Sequence, residues 1–95
     1  MTDLNEARKS IEEIDKKMAD LFTSRMKIAE GIAEYKRSNG IPVLDEGREK
    51  VLIEKNEQYI QDEELKAYYR QFIKGILDIS KQYQSKLIES KEARS

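Results

Sequence analysis

The chain has no cysteine, no histidine and no tryptophan, and these absences narrow its chemistry before any motif is read. Without cysteine there is no disulfide, no thiolate nucleophile and no sulfur ligand for zinc. Without histidine the side chain that most readily shuttles protons at neutral pH is also missing. Proline occurs once and glycine four times, so the backbone has few enforced breaks. No apolar run approaches the length of a membrane span, and Met1-Thr2-Asp3 opens directly into an amphipathic pattern without a signal-peptide core. A cytoplasmic location with no membrane association is therefore expected. Neither sign of charge is in excess: 18 Lys and Arg stand against 19 Asp and Glu, a formal net charge of −1. That balance leaves no whole-molecule field to attract nucleic acid.

What the chain does have is length for one domain and a large share of charge. Its 95 residues are 38% apolar and 39% charged, a lean core for so small a unit. Such a composition favours burial shared with a partner. The cluster Ser38-Asn39-Gly40-Ile41-Pro42 is the one strong break, and the spacing of apolar residues predicts three helices and no sheet.

Helix 1 is expected over about residues 3–38, with Asp3 as N-cap, Glu6 in the capping-box position and Asn39-Gly40 as a left-handed stop. Its seam steps by threes and fours through Leu4, Ala7, Ile11, Ile14, Met18, Leu21, Arg25, Ile28, Ile32 and Tyr35, widened by Phe22 and Ala29. A helix of that length spans about 50 Å, whereas a compact domain of this size has a radius of gyration near ~12 Å. The helix must overhang its own domain, and a second copy is the commonest cover for an apolar overhang. The expected fold class is thus all-α, three helices per chain with one very long N-terminal helix, in an intertwined homodimer. Helix 2 is predicted over about 46–60, capped by Asp45, with Val51, Leu52, Ile53 and Ile60 on or near its inner face. Helix 3 is predicted over about 63–88, carrying Leu65, Tyr69, Phe72, Ile73, Ile76, Leu77, Tyr83 and Leu87 inward, with a frayed tail over 89–95.

Polar residues on apolar stripes are the informative ones, because an unpartnered buried charge or amide costs several kcal/mol. Arg25 holds a seam position, and Lys36 lies eleven residues on, turned by only about 20° and displaced by about 16 Å. Ser80 and Gln84 are one turn apart and continue the row of Ile73, Ile76 and Leu77. Arg48 and Glu49 border the inner face of helix 2, just after the Pro42 loop. Each has a structural explanation when taken alone. A seam arginine can set register, a helical serine can bond back to its own backbone, and cations near helix ends can snorkel. Their convergence is what points to a ligand groove.

Five segments carry a family resemblance. Ala7-Arg8-Lys9-Ser10-Ile11-Glu12-Glu13-Ile14-Asp15, followed by Leu21-Phe22-Thr23-Ser24-Arg25 and Ala33-Glu34-Tyr35-Lys36, resembles the first motif of the all-helical (AroQ-type) chorismate mutases. Pro42-Val43-Leu44-Asp45-Glu46-Gly47-Arg48-Glu49 resembles their loop and second-helix start, and Ile79-Ser80-Lys81-Gln82-Tyr83-Gln84 their closing motif. The resemblance runs from Asp3 to about Ile88. It implies that Arg25 and a partner-chain Arg8 bind two substrate carboxylates, that Lys36 and Gln84 hydrogen-bond the ether oxygen, that Glu49 holds the ring hydroxyl and that Ser80 supports a carboxylate. Asp45 and Arg48 complete the pocket, and Lys36, Gln84 and Arg25 form the catalytic set. Helix geometry supports one part independently: Arg8 lies about 42 Å along the helix from Lys36 and cannot share a small ligand with it in the same chain.

The implied reaction is the rearrangement of chorismate to prephenate in phenylalanine and tyrosine biosynthesis. It needs no cofactor, metal, nucleophile or base, only orientation and charge stabilisation. Two other readings stand beside it: an isochorismate-pyruvate lyase on the same fold, and a non-catalytic helical dimerisation module in which the polar residues only set register. Association with another aromatic-pathway enzyme is left open by the sequence.

Overall fold

The computed structural model describes residues 3–94 and contains three helices, α1 (Leu4–Asn39), α2 (Glu46–Gln58) and α3 (Glu63–Arg94), with no strand among the described residues. Each start is set by an aspartate. The Asp3 carboxylate accepts from the Asn5 amide at 2.9 Å, that of Asp45 from the Arg48 amide at 3.0 Å, and that of Asp62 from the Glu64 amide at 2.9 Å. These bonds satisfy amides that a helix leaves without partners in its first turn. α1 ends where Gly40 turns left-handed at φ 65° and ψ 30°. The Ile41 amide then reaches back to the Lys36 carbonyl at 2.8 Å, closing off the helix end.

α3 is the element on which both others pack. Cross-helix pairs Arg25–Ser80 and Glu34–Lys91 advance together along α1 and α3, which are therefore parallel. The pairs Glu49–Lys81 and Glu57–Arg70 advance in opposite senses, so α2 lies antiparallel to α3. Burial is concentrated where these helices meet: Ala29 and Ala33 on α1, and Ile73, Leu77, Ser80 and Gln84 on α3. The two alanines matter because small side chains let α3 approach the α1 backbone closely.

Some sequence expectations need correction. α3 does not stop at residue 88 but continues as helix to Arg94. No glycine or proline follows Gly75 to interrupt it, and its last turns stay tied to α1 by the Lys91–Glu34 ion pair. Leu65 and Phe72 of α3 and Val51 of α2 do not face inward within the chain; all three are exposed. On α3 the residues Leu65, Tyr68, Phe72 and Ile79 form their own stripe, about 100° around the helix from the buried row. Period alone joined two adjacent stripes into one face.

The seam of α1 is likewise uncovered by its own chain. Residues 8–25 are exposed throughout, and Leu4, Ile11, Ile14, Met18, Leu21, Ile28, Ile32 and Tyr35 are all exposed apolar groups. The shape reflects this: the radius of gyration is 17.0 Å and the extents are 58 × 27 × 14 Å. No helix among the described residues is long and apolar enough to cross a membrane.

Because Gly40 sits in the left-handed region, Gly40→Ala should lower stability by about 1 kcal/mol while leaving helix content unchanged. Denaturant midpoints at matched protein concentration measure this, and an unshifted midpoint would mean that the cap is dispensable.

Candidate functional site

Between the three helices lies a groove of about 400 Å³, within the range of small-molecule sites. Four cationic side chains, Arg25, Lys36, Arg48 and Lys81, and two carboxylates, Asp45 and Glu49, line it together with Ser80 and Gln84. Positive charge is thus in local excess in a chain whose overall balance is slightly negative. The apolar walls include Ile28, Ala29 and Ile32 from α1, Leu52 from α2 and Leu77 from α3.

The polar groups are held in place before any ligand arrives. Arg25 Nη1 donates to Ser80 Oγ at 2.8 Å, fixing one edge of the guanidinium and leaving the rest of its fork free. Ser80 does not bond back to its own helix; its hydroxyl reaches Met26 Sδ at 3.8 Å. Lys36 Nζ donates to the Val43 carbonyl at 2.9 Å, so the loop between α1 and α2 anchors an ammonium that retains two further donors. Gln84, only 7% exposed, donates from Nε2 to the Ala29 carbonyl at 3.2 Å. That bond identifies which end of the amide faces α1 and uses one of its two N–H donors.

α2 supplies the third wall. The Asp45 carboxylate caps this helix through the Arg48 amide, so one aspartate both starts the helix and borders the groove. Glu49, one turn in, pairs with Lys81 Nζ at 3.0 Å, and Lys81 also meets Asp78 at 3.3 Å. The hydrogen bond to Glu49, then that to Asp78, hold the Lys81 ammonium above its ordinary pKa against the opposing effect of partial burial.

Of the residues singled out in the sequence, Arg25, Lys36, Asp45, Arg48, Glu49, Ser80 and Gln84 all line this groove. Arg8 does not: it is exposed on the uncovered half of α1. Two participants were not foreseen. Lys81 carried a signal, since it lies three residues before Gln84 and three after Asp78, on the flank of the same helical face. The Val43 carbonyl carried none, because backbone acceptors in loops have no sequence signature.

Away from the groove, a second set of polar contacts ties α1 to α3. The Tyr83 hydroxyl donates to Glu30, whose carboxylate pushes the phenol pKa up. Glu34 accepts from both Arg37 and Lys91. Those two cations, Arg37 first, pull the Glu34 carboxyl down from 4.5 to about 2.

Comparison with known proteins gives two results. The family model described as chorismate mutase type II matches residues 7–85. A protein of Methanocaldococcus jannaschii named chorismate mutase is 42% identical over 52 residues, which cover 55% of this chain and 52% of that protein. The chain therefore matches about half the length of this curated relative. No solved structure matches significantly.

The Glu34 cluster yields a pH prediction. A carboxyl depressed from 4.5 to about 2 contributes stability fully above the higher value, and that contribution is lost as the pH falls through the lower one. Side-chain carbon NMR should find Glu34 titrating near 2, and Arg37→Ala should move the midpoint upward more than Lys91→Met does. A Glu34 midpoint near 4.5 in the parent protein would show that the cluster does not persist in solution.

Proposed function

The chain belongs to the chorismate mutase type II family, and on that premise we propose that it converts chorismate to prephenate, without a cofactor, in an intertwined homodimer with shared sites. One observation carries this reading: four cations, two carboxylates, a hydroxyl and an amide converge on one small groove, and three of the donors are already fixed by partners of their own.

Chorismate is a dicarboxylate that must fold into a compact conformer before its ether bond breaks and a carbon–carbon bond forms. In our reading Arg25, steadied and assisted by Ser80, takes one carboxylate, and Arg8 of the partner subunit takes the other. Arg48 and Asp45 border the ring. Glu49 accepts the hydrogen bond of the ring hydroxyl. Lys36 and the remaining N–H of Gln84 donate to the ether oxygen, where negative charge grows in the transition state. Donors held before the reaction begins lose little freedom during it, which is the source of electrostatic catalysis in such a site. Neither a proton shuttle nor a nucleophile is required, consistent with a chain that has no histidine or cysteine.

The dimer is supported by the uncovered α1 seam and by Arg8. Exposed apolar residues extend from Leu4 to Leu21, a length no intrachain element covers, and a continuous apolar patch of that kind ordinarily belongs to an interface. A partner helix laid along it would also bring a second Arg8 toward the groove, the one cation of the expected set that the chain cannot supply to its own site.

Purified protein incubated with chorismate tests the reading directly: prephenate supports it. Absence of turnover would favour a dimerisation module. Release of salicylate and pyruvate from isochorismate, with chorismate untouched, would favour the lyase.

Two further outcomes are expected. Arg8→Ala and Arg25→Ala proteins should each be nearly inactive, yet mixing them with subunit exchange should restore about a quarter of parental activity. Half of the random dimers are then hybrid and each hybrid holds one intact site. No rescue in demonstrated heterodimers would refute shared sites. Gln84→Glu should be weak at neutral pH and recover on acidification, because an ionised carboxylate cannot donate to either the ether oxygen or the Ala29 carbonyl. A flat profile of kcat/KM equal to that of the parent would remove Gln84 from the site.

A further inference from the structure

Glu49 presents a difficulty for a site that takes a dianion. A carboxylate at the wall of the groove repels the ligand at long range, and as a flexible side chain it must also be aimed correctly to accept from a hydroxyl. Lys81 answers both. Its Nζ lies 3.0 Å from Glu49 Oε1 and 3.3 Å from Asp78 Oδ1. The ammonium is thus held between a carboxylate of α2 and one on its own helix, one turn earlier. Asp78 is 66% exposed and Glu49 only 25% by side chain, so the bridge runs from the solvent edge inward to the groove.

We propose that Lys81 is a positioning residue for the reaction. It grips one oxygen of Glu49 so that the other is presented to the hydroxyl of the substrate, and it offsets the negative charge that Glu49 would otherwise set against a dicarboxylate. This inference rests on the functional reading above. Lys81 acts through Glu49 rather than by touching substrate: two of its three N–H donors are held by Glu49 and Asp78, at the flank of the groove. Asp78 in turn keeps the lysine stem from swinging to solvent, since the i, i+3 spacing places the two side chains side by side on the helix surface.

The role predicts a pattern that a merely structural ion pair does not produce. Replacing Lys81 with methionine keeps the stem and removes the charge. Lys81→Met should raise KM about tenfold and change kcat little, because the contact to the hydroxyl is made in ground state and transition state alike. In a Glu49→Gln background the same substitution should cost less than about twofold, since residues acting as a unit are not additive. Lys81→Arg, which restores a cation of similar reach, should recover most of the loss. Steady-state kinetics of the parent, the three single variants and the Lys81→Met/Glu49→Gln double variant measure all of this, with circular dichroism confirming that each is folded.

An equal penalty from Lys81→Met in both backgrounds would overturn the positioning role. So would an unchanged KM in a folded Lys81→Met protein, or an arginine variant no better than methionine. Failure of the parent itself to consume chorismate would instead overturn the functional reading, and the positioning role with it.

Discussion

Two alanines on α1 allow α3 to come close enough for a side-chain amide to reach a backbone carbonyl in the middle of a helix, and the geometry of the groove depends on that approach. Ala29 and Ala33 are the buried residues of α1. Gln84 meets the Ala29 carbonyl and Leu87 and Ile88 lie beside Ala33, while Ile73, Leu77 and Ser80 continue the buried row of α3 toward its N-terminus. Larger side chains at 29 or 33 would hold the helices apart, take the Ala29 carbonyl out of reach of Gln84, and loosen the Arg25–Ser80 contact one turn away. The same close approach therefore supplies much of the small core and fixes two of the polar groups of the site.

The remaining groups are fixed by short-range devices of different kinds. Asp45 caps α2 through the Arg48 amide and so sets where Arg48 and Glu49 point. The left-handed turn at Gly40 brings the chain back so that the Val43 carbonyl meets Lys36. Lys81 then joins α2 to α3 at Glu49. Cap, turn and ion pair each order one wall, and the groove is the place where the three walls meet. An excess of cations in such a groove would be self-repelling if all were free. Here each of Arg25, Lys36 and Lys81 has a protein acceptor that offsets part of the cost.

Stability and site formation are unevenly divided along the chain. Residues 8–25 of α1 contribute little burial to their own subunit, whereas residues 25–37 contribute the packed alanines and the cluster at Glu34. The 36-residue helix α1 thus packs on its own chain over its second half, while the apolar seam of its first half stays exposed. The uneven division follows if the first half serves a neighbour, which is also where Arg8 lies.

The sequence by itself determined the class of fold, the three helix starts and the left-handed stop, because caps and apolar period act over one or two turns and are written in adjacent residues. It also singled out Arg25, Lys36, Arg48, Glu49, Ser80 and Gln84, since a polar residue on or beside an apolar stripe is visible from spacing, whereas Asp45 joined the site set through the family resemblance. Tertiary structure decided what spacing cannot encode. Leu65, Phe72 and Val51 lie beside the buried faces rather than on them, because period fixes a side chain's angle around its own helix but not where the neighbouring helix lies. The tail is helical to Arg94, and there Lys91 pairs with Glu34 on another element. The acceptors that orient the site, the Val43 and Ala29 carbonyls and the Lys81 bridge, exist only once three helices have met. Backbone oxygens and ion pairs distant in sequence become neighbours through packing.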